Sequence, residues 1–68
     1  MRVKLILPKI MEVMTRKELN QTKLAQKAGI ARQTLCTAMS RGSCSLETSQ
    51  KLADALGLAL WEIAERMG

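Results

Sequence analysis

The sequence predicts a compact all-α domain of five short helices, with a short β-strand at residues 2–7 ahead of them. Three observations carry that expectation. The chain has 68 residues, room for one small domain spanning 1–68. Of these, 47% are hydrophobic, enough to form a core and too many for a disordered segment. From Lys9 onward, apolar side chains recur at intervals of three and four, and the pattern is broken at Asn20, Gly29, Gly42 and Gly57. A domain this small buries only about 60% of the surface its unfolded chain exposes, so its stability is marginal.

Each element has a local reason. In residues 1–7, Val3, Leu5 and Leu7 alternate with Arg2, Lys4 and Ile6, a strand pattern that Pro8 interrupts. Ile10, Val13 and Met14 then lie one turn apart, predicting a helix from Lys9 to about Lys17. Asn20 is a suitable N-cap for a second helix, Gln21 to Ala28, with Leu24, Ala25 and Ala28 inward. Gly29 ends it, and Ile30 is an apolar plug in the turn. A third helix runs from Arg32 to Ser40 with Leu35, Ala38 and Met39 inward, and a loop follows at Arg41-Gly42-Ser43-Cys44. Ser45 can cap a fourth helix, Leu46 to Leu56, whose core positions are Leu46, Leu52, Ala53 and Leu56. Leu58 to Met67 supplies a fifth, with Leu60, Ile63 and Met67 inward. Trp61 and the five methionines read as packing residues.

Composition weighs against several functions. There is no His and there are only two Cys, so neither a four-ligand zinc site nor Ser–His or Cys–His catalysis is expected. No nucleophile–base pair, metal set or phosphate loop can be named, so no enzyme and no cofactor is expected. Phe and Tyr are absent, which removes the aromatic platforms that stack single-stranded bases. Cys36 and Cys44 read as free thiols in a cytoplasmic protein, with a redox switch between them the alternative. No signal peptide is evident, and Leu5-Ile6-Leu7 is far too short to cross a bilayer.

The charge is unevenly spread. Residues 1–41 carry +7 and residues 42–68 carry −2, for a net +5 and a pI near 9.8. A basic first part points to a face built for a polyanion such as nucleic acid.

The informative stretch is Gln21 to Ala38, where two short helices flank Gly29 in the manner of a helix-turn-helix spanning about residues 21–40. Ala25 is small enough for the helices to approach. Ile30, Leu35 and Ala38 bury the inner face of the second helix, leaving Arg32, Gln33, Cys36, Thr37 and Ser40 outside. Arg and Gln there can read base edges bidentately, Arg to guanine and Gln to adenine.

The run from Leu19 to Leu35, LNQTKLAQKAGIARQTL, resembles the DNA-binding core of the phage repressor and Cro-type helix-turn-helix family, the XRE family. Ser45-Leu46-Glu47-Thr48 and Leu52 to Leu58 resemble that family's fourth helix and exit turn, so the resemblance covers about residues 9–66. It implies that the helix from Arg32 lies in the major groove with Arg32, Gln33, Cys36 and Thr37 facing bases. It also implies phosphate contacts by Asn20, Gln21 and Lys23 at the start of the second helix, and by Ser40 and Arg41 after the third. Three departures stand out. Ala31 occupies a position where the family usually has a Ser or Thr cap. The link from Leu35 to Gly42 is one residue longer than in the commonest members. Met1–Leu7 has no counterpart in the phage repressors, although it looks like the N-terminal strand of some small bacterial members.

A lone strand leaves backbone groups unpaired. Its pairing with a second copy as an antiparallel ribbon would make Val3, Leu5 and Leu7 a dimerisation surface. The expected protein is thus a sequence-specific double-stranded DNA-binding transcriptional regulator. It would be a homodimeric repressor on a palindromic operator, bacterial or phage-encoded and associated with the nucleoid. An antitoxin with a toxin protein as partner, or an interaction module that kept only the fold, are the alternatives.

Overall fold

In the computed structural model, which describes residues 1–66, the chain runs through three short strands and five helices. They are β1 (Arg2–Leu5), α1 (Leu7–Arg16), α2 (Gln21–Ala28), α3 (Arg32–Arg41), β2 (Ser43–Ser45), α4 (Leu46–Leu56), α5 (Leu60–Ile63) and β3 (Ala64–Arg66). The inward position expected for Met67 lies outside the described residues. Helices α2 and α4 keep the boundaries that their caps and periodicity predict.

The strands depart most from expectation. β1 is the centre of a three-stranded antiparallel sheet of order β2-β1-β3. Val3 sits opposite Cys44 on one side and Arg66 on the other, and Leu5 sits opposite Ala64. Both edges of β1 are therefore filled within the chain, and Val3 and Leu5 are buried in the core. The antiparallel ribbon with a second copy is thereby overturned, because β1 has no free edge to offer it. The strand also stops at Leu5. Ile6 precedes α1, Leu7 is its first residue, half-buried against the core, and Pro8 stands in the first turn, where its missing N–H costs nothing. Val3 and Leu5 thus build the domain interior, with Leu7 half-buried against it, and the pairing of β1 within the chain takes up the edges that the ribbon would have used.

The partners of β1 come from segments with no visible strand signal. The loop expected over Arg41 to Cys44 holds the start of β2, which runs on into Ser45, the expected cap of α4, and three residues are too few to display a period of two. In the structure Cys44 points inward, and Ser43 and Ser45 are half-exposed. The fifth helix was expected over 58–67 and is a single turn, after which the chain turns extended at Ala64, φ −142° and ψ 155°. Leu60 and Ile63 account for the helical spacing, while pairing Ala64–Arg66 with β1 satisfies backbone groups that a continued helix would have left open. The Ile6 N–H donating to the Ile63 carbonyl at 2.8 Å ties this junction to the end of β1.

The core gathers Val3, Ile10, Leu24, Leu35, Leu52, Leu56 and Ile63, each fully buried. Burying such a side chain contributes about 1.5–3 kcal/mol. Ala25 and Ala53 are also enclosed, and their size lets helices approach. Ser49 is the buried polar side chain of the core, and its hydroxyl donates to the Leu46 carbonyl at 2.8 Å. Trp61 is not the packing residue expected, since it remains 50% exposed. No helix among the described residues is long and apolar enough to cross a membrane.

Candidate nucleic-acid interface

Helices α2 and α3 and the turn between them are joined into one unit by the turn's backbone hydrogen bonds and by the Cys36–Gln21 bond. Asn20 adopts extended backbone angles, and its Oδ1 accepts the Lys23 N–H at 2.8 Å, so α2 begins with a side-chain cap. This leaves the Asn20 amide nitrogen as a donor. At the other end Gly29 has φ +72°. The Gly29 N–H donates to the Gln26 carbonyl and the Ile30 N–H to the Ala25 carbonyl, the paired bonds that close a helix through a left-handed residue. A β-carbon on Gly29 would meet nothing within 4 Å, so the backbone conformation alone demands glycine.

α3 begins at an uncapped terminus, because Ala31 has the extended geometry of a cap (φ −67°, ψ 142°) but no side-chain oxygen. Its inner face is Leu35 and Ala38, both buried. Its outer face presents Arg32, Gln33, Thr34, Thr37, Ser40 and Arg41, all exposed. Cys36 is half-buried, and its thiol donates to Gln21 Oε1 at 2.8 Å. That bond joins the first turn of α2 to the middle of α3 and leaves the Gln21 amide nitrogen as a donor at the α2 N-terminus.

Residues 19–46 contain no carboxylate and hold Lys23, Lys27, Arg32 and Arg41. The acids lie on other elements. Glu12 pairs with Arg16 on α1, Glu47 lies 3.8 Å from Lys51 on α4, and Glu62 accepts the Ala59 N–H ahead of α5. The unit thus presents an uncompensated basic face, with the positive end of the α2 dipole adding to it. No group of three or more His, Cys, Asp or Glu able to hold a metal occurs among the described residues.

The residues expected to work together fall into three places. Arg32, Gln33, Cys36 and Thr37 lie along α3, Asn20, Gln21 and Lys23 at the start of α2, and Ser40 and Arg41 at the end of α3. One neighbour escaped the sequence reading. A cleft of about 450 Å³ runs beside α3, bounded by Gln33, Thr37 and Arg41 on one wall and by Ser43 and Thr48 on the other, with Arg2 of β1 joining it. The sequence shows Arg2 as a basic residue on one side of the strand pattern, and nothing in it shows that β1 lies against β2. Cys44 also borders this cleft. Burial pushes its thiol pKa up, and the Arg2 guanidinium opposes that rise.

Among known proteins, the family model for the Cro/C1-type HTH DNA-binding domain matches residues 9–67, nearly the whole chain. No curated protein and no solved structure matches it.

Proposed function

The chain belongs to the family of Cro/C1-type HTH DNA-binding domains, and from that premise we propose that it is a sequence-specific transcriptional repressor, binding a palindromic operator as a dimer. The observation that carries this reading is the outer face of α3. It is polar and basic, it includes none of the large exposed hydrophobic side chains (Met1, Met11 and Trp61), and it projects from a unit braced on the core. An interaction module would present an apolar patch at that place.

In this reading α3 enters the major groove. Arg32 and Gln33, at its N-terminal end, read base edges, and Thr37 follows one turn later. Cys36 offers its sulfur edge, suited to apolar contact such as a thymine methyl, because its hydrogen is engaged by Gln21. Gln21, Asn20 and Lys23 grip phosphates on one side of the groove, and Ser40 and Arg41 on the other. These contacts set register and affinity, while the base contacts set sequence. Two copies with recognition helices about 34 Å apart read half-sites one turn apart. Any such dimer uses a surface other than β1. The bound protein acts in the cytoplasm on the nucleoid by occupying the operator and obstructing polymerase, with no catalytic step and no cofactor.

Selection of an operator from random duplexes tests the proposal, followed by Arg32→Ala on the selected and scrambled sites. The expected result is a loss of about 1–3 kcal/mol on the selected site, with relaxed preference at one base pair. Equal losses on both duplexes would remove Arg32 from base reading.

A further inference from the structure

We propose that the cleft beside α3 seats a phosphate of the DNA backbone between Arg2 and Arg41, which makes the N-terminal strand part of the DNA interface. The inference rests on the DNA-binding reading above and assigns a contact that the helix-turn-helix unit alone does not contain.

Four observations carry it. The cleft draws guanidiniums from two segments far apart in sequence, Arg2 on β1 and Arg41 at the end of α3, and no carboxylate lines it. The hydroxyls of Ser43 and Thr48 line it as well, while that of Ser45 is spent on Thr48 Oγ1, so the walls supply the charge and donors that a phosphate oxygen takes up. A second cleft, about 300 Å³, serves as an internal contrast, since its lysine, Lys4, lines it together with Glu65.

Arg2 is also held in place. Its Nη2 donates to Ser43 Oγ at 3.1 Å, its backbone lies opposite Ser45, and the preceding Met1 carbonyl accepts the Leu46 N–H at 2.9 Å. A guanidinium has five N–H donors in a fixed fork, so one bond to Ser43 orients the group and leaves donors for a ligand. Behind it lies the N-terminus of α4, whose first turn carries Glu47 against the helix dipole, so the positive potential of the cleft comes from the two guanidiniums.

The position selects the ligand. Gln33 and Thr37, on the face of α3 proposed to read bases, border the same cleft. A phosphate seated there lies beside those bases and therefore belongs to the backbone of the duplex being read. The geometry also gives the strand a role that its buried edges deny it in dimerisation.

The test is duplex binding by the full chain, measured by fluorescence anisotropy across a salt series, for Arg2→Gln, Arg2→Lys and Lys4→Gln. One phosphate contact contributes about 0.9 to the log–log salt slope, which over the decade from 1 M to 0.1 M salt amounts to about eightfold in affinity. Arg2→Gln is expected to lose that slope and about eightfold at 0.1 M, equally on all sequences. Arg2→Lys keeps the charge and most of the slope. Lys4→Gln removes the same charge from the same strand and leaves the slope unchanged. If the wild type binds duplex but Arg2→Gln matches Lys4→Gln, this inference falls and the DNA-binding reading stands. If the wild type binds no duplex, that reading fails and takes the inference with it. Inorganic phosphate at constant ionic strength, with the amides of Ser43 to Thr48 followed by NMR, separates the two sources of the anion. Saturating shifts with inorganic phosphate alone would reassign the cleft to a free anion and overturn the proposal.

Discussion

Helix α3 starts without a cap, and Ala31→Ser should supply one. The backbone is already prepared. Ala31 has φ −67° and ψ 142°, close to the φ −67° and ψ 155° of Ser45, whose Oγ accepts the Thr48 N–H at 3.2 Å. A serine at 31 would find the Thr34 N–H in the same relation, and Ala31 is exposed, so nothing must move to admit the hydroxyl. Exchange of Ala for Ser at such a terminus is worth about 1 kcal/mol. For a domain of this size that corresponds to a rise of about 4–8 °C in melting temperature. The assay is a thermal melt followed by circular dichroism, checked for two-state behaviour. A melting temperature equal to or below that of the wild type would refute the reasoning, since it would mean that the first turn of α3 gains nothing from a side-chain acceptor. Ala31→Asp sharpens the test. It should stabilise at least as well, through the same bond and the helix dipole, yet weaken duplex binding by placing a carboxylate beside Arg32.

Four further predictions follow from burial, backbone geometry and the raised Cys44 pKa. Leu35→Ala removes the fully buried anchor of α3 and should cost about 2–5 kcal/mol, comparable to the whole stability of a small domain, so its denaturation midpoint should collapse toward zero denaturant. Gly29→Ala meets no steric obstacle but must hold φ near +72°, and a loss of about 1–2 kcal/mol should appear in the same melt. Cys44, buried with its pKa raised above the ordinary 9.0, should react slowly with a thiol reagent at pH 8 and rapidly once the chain is denatured. Because folding favours its protonated form, that contribution is intact below about pH 9 and is lost as the pH climbs past it. Cys44→Ala should therefore shallow the alkaline decline in stability.

What the sequence disclosed follows the range of the physics involved. Caps and helical periodicity act within a few residues, so α2 and α4 could be bounded from Asn20, Gly29, Ser45 and Gly57 alone. The outer face of α3 followed from the same spacing, because Leu35 and Ala38 fix which side is buried. Sheet pairing is non-local. Val3 and Leu5 signal a strand but not its partners, and the three-residue segments that flank it carry no pattern of their own. The ribbon dimer failed for that reason, and the contribution of Arg2 to a cleft with Arg41 was hidden for the same one. The half-exposed Trp61 was missed because α5 ends after one turn, where the chain leaves the helix to complete the sheet.

The most direct measurement is anisotropy of a labelled duplex titrated with the protein at roughly 50 mM and 200 mM salt. The proposed phosphate contacts, among which Lys23 and Arg41 carry the charge, predict clear binding at the lower salt and a marked loss at the higher, with a slope of about −0.9 per phosphate neutralised. Binding absent at the lower salt, or unchanged between the two, would contradict a DNA-binding face on α2 and α3.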